Sequence, residues 1–301
     1  MKKKFFAITA AVFVWGMISL GADVHAASES EPSVQVIIDS DWQSDFLVLQ
    51  GRTLVPLVAF HDPEWVTYSY KPKTKTIRIE GSVQKIDIQL TIGSKDVLVN
   101  GSKKRLDVPV TIRDGRTYVP LRFLSDQLGG SAYYHKPSKQ TIIRTPSYIE
   151  KIETLKRGSL ADARQIAISL PILREKGALQ PMGDGFIIDY IFPEGETMRY
   201  FREYKSLKEY IEINKQGYAE VKWATDTYVP PGTKSRERGA EPPDFGKAVY
   251  FTDNFMSELT EYGKIDSSGV STQLGQTEQV LQKNQRRIIV PIHGEQRTDA
   301  Q

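Results

Sequence analysis

The sequence predicts an α+β protein with two folded parts behind an export signal. Three observations carry this: a charged, apolar, then small-residue N-terminus; a near-copy of one stretch, GRTLVPLVAF at 51–60 and GRTYVPLRFL at 115–124; and a change of texture after residue 146, where the repeat gives way to a helical pattern and then alternating strands.

The chain begins MKKKFFAITAAVFVWGMISLGADVHAA, with three lysines, an apolar stretch from Phe5 to about Leu20 and small residues around Ala26. This order predicts a secretory signal over residues 1–26, with Val24-His25-Ala26 as the small-x-small cleavage pattern. Gly16 and Gly21 leave the apolar stretch short of the roughly 20 residues a spanning helix needs, so no membrane attachment is expected after cleavage and the protein is expected to be secreted, extracellular or wall-associated. None of the 301 residues is cysteine. That excludes a lipidated-cysteine anchor and leaves the exported chain to fold without disulfides. Residues 34–146 hold 16 Lys/Arg against 11 Asp/Glu, net +5, while 147–301 hold 21 against 23, net −2. So uneven and modest a charge does not point to nucleic acid; it gives the first part a basic surface suited to solvent or to an anionic envelope polymer.

Each copy of the repeat reads in order as strand, turn, strand, Gly-Arg-Thr corner, short helix, strand and hairpin. GRTLVPL (51–57) aligns with GRTYVPL (115–121), VIIDSD (36–41) with VLVNGS (97–102), and YKPKTKTI (70–77) with HKPSKQTI (135–142), the last with one residue's difference in spacing. Self-similarity of this kind marks a duplicated supersecondary unit. Asn100-Gly101 predicts a hairpin turn, because both residues tolerate positive φ. Gly51 and Gly115 carry the backbone through tight turns, and Thr117, Tyr118 and Val119 favour an extended strand. Pro56 and Pro120, lacking an N–H, end their strands at the first turn of a helix. Leu121, Leu124 and Leu128 fall on one apolar stripe, stopped by Gly129-Gly130. Arg52, Arg116 and Arg122 are expected to bond backbone carbonyls or nearby acids such as Asp114 and Asp126. Lys103, Lys104 and Arg105, just after the turn, are the candidate contacts for an anionic polymer.

The run VLVNGSKKRLDVPVTIRDGRTYVPLRFLSDQLGG (97–130), followed by the hairpin, resembles the copper amine oxidase-like N-terminal domain, also called the stalk domain, over residues 34–146. The resemblance implies a small α+β module, an antiparallel sheet wrapped on a short helix, that serves as an accessory domain in exported proteins of Gram-positive bacteria. The first copy departs from the pattern. Val58 stands where the second copy has Arg122, Asp62-Pro63 is expected to end the helix early, and Tyr70-Lys71 and His135-Lys136 replace the family's Trp-Asp. A scaffold tolerates such changes and a site built twice does not, so Gly51, Arg52, Pro56, Gly115, Arg116, Pro120 and Arg122 are assigned to structure. The oxidase chemistry in the family's name is not expected. The chain has no Asn-Tyr dipeptide from which a quinone could form, and past the leader its histidines are His61, His135 and His293, too scattered for a local chelate. No metal or cofactor is expected.

Residues 159–301 are expected to form a second α+β domain, joined near 147–158. SLADARQIAISLPILREKG (159–177) predicts a Ser-capped helix, kinked or split at Pro171 and ended by Gly177. FIIDYIF-PEGE-TMRYFREY (186–204) and KEYIEI-NKQG-YAEVKW (208–223) predict two hairpins of an antiparallel meander, with a cap for a short helix at SLKE (206–209) as the alternative. VPPGTKSRERGAEPPDFGK (229–247) reads as a long exposed loop, the segment from Ser267 as polar, RRIIVPI (286–292) as a last strand, and HGEQRTDAQ as carrying neither a sortase signal nor an anchor. Glu194, Glu196, Asp184 and Asp189 are candidate paired carboxylates, and the tyrosines and Trp223 candidate groove residues, though solubility and sheet packing account for both sets. The expected function is that of a secreted, non-enzymatic envelope protein whose accessory module binds cell-wall polymer, peptidoglycan or an anionic glycopolymer, or acts as a spacer. The alternative is a secreted hydrolase of envelope polymers with its centre in the C-terminal part.

Overall fold

Residues with positive φ punctuate the first part at equivalent points of the two copies. The computed structural model describes residues 35–60, 65–82, 85–229, 231–232, 234–282 and 285–300; the leader, His61 and Asp62-Pro63 lie outside them. Gln50-Gly51 has φ of 50° and 72° and Asp114-Gly115 of 50° and 74°. Each pair closes a two-residue hairpin, Leu47–Leu49 onto Arg52–Pro56 and Thr111–Arg113 onto Arg116–Pro120. Positive φ at both turn residues matches the twist of the flanking strands. Lys75 and Lys139, also left-handed, sit at the ends of the two later hairpin turns. The separations 114 − 50 and 139 − 75 are both 64, so the copies align without the one-residue offset suggested by the sequence match. Tyr70 is thereby equivalent to Tyr134, not to His135.

The copies meet at strands Arg52–Pro56 and Arg116–Pro120, which pair antiparallel with Val55 opposite its own equivalent, Val119. A local two-fold axis therefore passes through the centre of the repeat. The outer sheets follow the same symmetry. Ser131–His135, Gln140–Arg144, Gln35–Ile38 and Asp41–Gln43 form one; Val66–Lys71, Thr76–Gly81, Ile86–Thr91, Asp96–Val99 and Ser102–Arg105 form the other, with Ile86–Thr91 as an added strand. Gln35–Ile38 runs parallel to Gln140–Ile143, so the first strand of copy one completes the sheet of copy two. In place of a single antiparallel sheet wrapped on a helix, the described residues of this part thus form three sheets around one core. Helix α1 (Leu121–Gln127) buries Leu121 and Leu124, and Leu128 packs beside them. In copy one a single 3₁₀ turn, Leu57–Phe60, precedes Trp65, whose indole N–H donates to the Leu128 carbonyl at 2.8 Å. Gly130 leaves no room for a β-carbon, which would lie 2.7 Å from the Arg144 carbonyl oxygen.

Residues 147–158 are not a linker but most of helix α2 (Pro146–Arg157), capped by the Thr145 hydroxyl, which accepts from the Tyr148 N–H, with Pro146 in the first turn. Helix α3 (Leu160–Ser169) begins at Ser159, whose hydroxyl accepts from the Asp162 N–H, and stops before Pro171; it neither kinks there nor reaches Gly177. Ile172–Leu173 instead joins the C-terminal sheet, parallel to Ala219–Glu220. The expected hairpins form as Ile187–Pro193 with Arg199–Tyr204 and Leu207–Ile213 with Ala219–Asp226, so SLKE lies in a strand and caps nothing. The same sheet takes Ala248–Asn254 and Leu259–Ile265, an edge strand Ser271–Glu278 from the polar segment, and Glu237–Gly239 from the expected loop. Of the predicted last strand only Gln285–Arg287 is extended. Ile288, Ile289 and Ile292 plug the core formed by α2, α3 and one sheet face.

One row of residues contributes to the contact between the two parts. Tyr133, Ile142, Ile37 and Trp42 lie in register across the sheet that copy two shares with the first strands of copy one. Tyr133 stacks on Tyr218 with centroids 4.1 Å apart, and Ile37 and Ile142 are buried with Leu173. The equivalent row of the other sheet is Ser69, Arg78, Leu98 and Lys103, all exposed. Ile37, Ile142 and Tyr133 face a second surface, where the equivalent Leu98, Arg78 and Ser69 face water.

Candidate functional site

Arg52 and Arg116 emerge from the turns as the first residues of the central strands. Their partners are not Asp114 and Asp126. Arg52 Nε donates to Asp107 at 2.6 Å, and Arg116 donates to Asp45. Each arginine thus reaches an aspartate of the other copy, an exchange across the two-fold that no local reading of the motif supplies. The Tyr118 hydroxyl also donates to Asp45 at 2.6 Å. This bond, with the Arg116 guanidinium, holds the Asp45 carboxyl below its usual range. Both ion pairs are exposed, so they fix register while adding little stability. Gly51 and Gly115 form the turns, Pro56 and Pro120 are buried at the strand ends, and Arg122 is exposed and bonds no described residue. Six of the seven thus sit at turns, strand ends or ion pairs between the copies, and Arg122 stands apart from them.

Beside Arg116 the module opens into a groove of about 340 Å³, lined by Val58, Tyr68, Tyr70, Ile112, Ile77 and Arg116. Two strands at sheet edges border it, Val66–Lys71 and Thr111–Arg113. Tyr68 and Tyr70 alternate with Ser69 and so share one face of their strand; Tyr70 is 50% exposed and Ile112 47%. Neither packing nor turn geometry requires apolar side chains at such exposure. The sequence signal for the groove is the Tyr-Ser-Tyr alternation at 68–70, which reads equally well as an ordinary strand.

Lys103, Lys104 and Arg105 occupy the edge strand Ser102–Arg105 and project into solvent. Lys103 and Arg105 pair with Asp96, at 2.9 and 3.5 Å, and Lys104 Nζ donates to Gln127 at 2.7 Å. Charge on an edge strand also discourages strand-to-strand association.

In the C-terminal part the four candidate acids do not converge. Glu196 binds Arg199, Glu194 faces Lys264 at 3.4 Å, and Asp184 lies in a loop. Asp189 instead joins acids that the sequence did not single out. One row across the sheet reads Glu261, Thr252, Asp189, Glu203, Lys208. The next row on that face holds Tyr250, Ile191, Phe201, Tyr210 and Trp223, and Phe245 covers part of it, with its ring centroid 4.7 Å from that of Phe201. Trp223 is buried, its indole N–H donating to Glu237 at 2.6 Å, so it packs rather than lines an open groove. The Thr252 hydroxyl donates to Asp189 at 2.5 Å. Burial, with Glu203 and Glu261 adding, nevertheless raises the Asp189 pKa. A carboxyl raised in the folded state favours folding when protonated, and that contribution is lost as pH rises from the unfolded pKa through the folded one. Asp189→Asn is therefore expected to raise stability at neutral pH and to flatten the decline from acid to neutral, as measured by urea unfolding at several pH values; an unchanged slope would count against it.

With this geometry in hand, the first part can be compared with known families. Residues 40–143 match the copper amine oxidase N-terminal domain. The match to this domain spans roughly a third of the chain. It covers the exchanged Arg52–Asp107 and Arg116–Asp45 pairs, the groove and the basic edge strand. It is a match to the copper amine oxidase N-terminal domain and not to the catalytic part of an oxidase, in keeping with a chain that is not a copper amine oxidase. No curated protein matches the chain. Among the described residues, no group of three or more His, Asp or Glu side chains is arranged to hold a metal ion.

Proposed function

We propose that this is an exported, non-enzymatic protein of the Gram-positive cell envelope that binds wall glycopolymer through a duplicated stalk-type module. The observation that carries this reading is the groove beside Arg116. Tyr70 offers a half-exposed ring face on which a sugar face can stack, next to a cation, on a surface the fold itself does not need. The basic strand 103–105 supports it with a diffuse attraction for anionic polymer. The charged, apolar and small run at 1–26 supports export.

Wall material with and without its anionic polymer provides the test. Tyr70→Ala is expected to weaken binding by on the order of tenfold, about 1.4 kcal/mol, with an unchanged melt. Neutralising Lys103, Lys104 and Arg105 is expected to reduce binding at low salt and to make little difference above roughly 0.15 M, where exposed charges are screened. Wild-type binding by the tyrosine variant would remove the groove from the reading.

A second reading, a hydrolase of envelope polymers, has Asp189 in its favour: an acid of raised pKa directly opposite Glu203 resembles the paired carboxylates of glycoside cleavage. Release of soluble fragments from wall material, lost in Asp189→Asn, is its test.

A further inference from the structure

We propose that the cavity between the hairpin Ser131–Arg144 and the C-terminal sheet is a binding site for a small zwitterion, a free α-amino acid or the end of a short peptide. The inference does not rest on the polymer-binding reading and uses none of its residues.

The cavity measures about 190 Å³ and lies where the two parts meet. It is well below the roughly 300–1,000 Å³ typical of drug-sized ligands and holds about six waters at their liquid volume, which limits an occupant to amino-acid or small dipeptide size. His135 reaches it from the hairpin, the segment 173–179 forms one wall, and strands Leu207–Ile213, Ala219–Asp226 and Glu237–Gly239 form the rest. Leu173, Leu179, Val221 and Ala224 supply apolar lining.

Three of the lining charges, Glu209, Glu220 and Lys222, are already satisfied. Glu209, with its side chain 1% exposed, accepts from Arg174 at 2.7 and 2.8 Å and from Arg202 at 3.2 Å. Glu220 pairs with Lys222 at 2.5 Å. Glu175, Lys176 and Arg238 are different: all three line the cavity, and none has a side-chain hydrogen bond or ion pair with a described residue. The site therefore presents, at its exposed rim, one unpaired carboxylate and two unpaired cations beside an apolar lining. A simple anion would satisfy the cations but sit against Glu175, and a simple cation would meet the converse penalty. A molecule with an ammonium and a carboxylate on one carbon satisfies both.

The Arg238 guanidinium is also constrained in position. It packs over Gly177, where φ is 73° and a β-carbon would come within 3.3 Å of it. On its other side Gly239, with φ of 85°, brings the strand so close that a β-carbon would lie 2.1 Å from the Lys222 carbonyl oxygen. His135 adds a polar but uncharged group: its Nδ1 bonds the Ser138 hydroxyl at 2.6 Å, and burial, against the pull of Glu220 and Glu175, lowers its pKa and keeps the ring neutral at pH 7.

The test is calorimetric titration and thermal melting of the full chain with glycine, both enantiomers of alanine, an alanyl dipeptide, acetate, methylamine and inorganic phosphate. At least one amino acid or the dipeptide is expected to bind and raise the melting temperature, with acetate and methylamine at least tenfold weaker. Glu175→Gln and Arg238→Gln break no existing pair, so each is expected to melt as wild type without ligand and to lose at least tenfold in affinity; if either melts low, Lys176→Gln with the same readouts takes its place. Binding of phosphate or acetate as tight as that of alanine, affinity unchanged in the variants, or no binding by any amino acid or dipeptide to a normally folded chain would each overturn the assignment.

Discussion

Arg164→Ala is expected to lower the unfolding free energy by about 3–5 kcal/mol, the largest effect of any single substitution considered. Arg164 on α3 and Glu295 near the C-terminus form an ion pair with both side chains 1% exposed. The guanidinium donates to both Glu295 oxygens, at 2.6 and 2.8 Å, and to the carbonyls of Glu196 at 2.9 Å and Pro193 at 3.2 Å. Alanine leaves a buried carboxylate with the Gly195 N–H, at 2.8 Å, as its remaining partner. Glu295→Met alone strands the guanidinium in the same way. The double variant Arg164→Ala with Glu295→Met is expected to cost clearly less than the sum of the singles, because it leaves no uncompensated charge. Chemical denaturation of the four proteins decides it; additive losses would show that the pair is not coupled.

Arg144→Ala is expected to cost about 3 kcal/mol and to weaken the cooperativity between the two parts. Its guanidinium donates to the carbonyls of Gln216 and Gly217, each at 2.7 Å, and lies 3.9 Å from the centre of the Tyr218 ring. Without it two carbonyls lose charge-assisted bonds, each worth roughly 1.5–3 kcal/mol. Tyr218→Ala removes the stack on Tyr133 as well, and since the two residues touch, their losses should not add. Unfolding followed by Trp42 and by Trp223 fluorescence in otherwise tryptophan-free variants is expected to coincide in wild type and to separate in Arg144→Ala. Coincident transitions at full wild-type stability would mean that this contact does not couple the parts.

Much of the first part was legible because its signals are local. A Gly after a polar residue closes a turn wherever it sits, and Leu121, Leu124 and Leu128 define a buried stripe by spacing alone. The helix Pro146–Arg157 is equally local in its signals: Thr145-Pro146 is a start signal, and Tyr148, Ile152 and Leu155 recur at helical spacing. The C-terminal HGEQRTDAQ is the opposite case. Glu295 pairs with Arg164, Asp299 accepts from the N–H groups of Thr197 and Met198 at 2.6 and 3.0 Å, and Arg297 donates to the carbonyls of Leu155 and Gly158, each at 2.7 Å. Apart from the Arg297–Asp299 pair, nothing in the nine residues announces this, because the other partners named lie about 100 positions or more away.

The candidate sites divide along the same line. The sequence by itself determined the turns, the hairpins and the basic run at 103–105, since each depends on φ preferences, periodicity or charge within a few neighbours. Only the tertiary structure decided that Arg52 and Arg116 exchange aspartates between the copies, that Asp189 stands opposite Glu203 rather than beside Glu194, and that Glu175, Lys176 and Arg238 surround one cavity. Those outcomes depend on which strand lies next to which and on which face another surface covers. That information is set by the packing of the whole core, and a short window of sequence does not contain it.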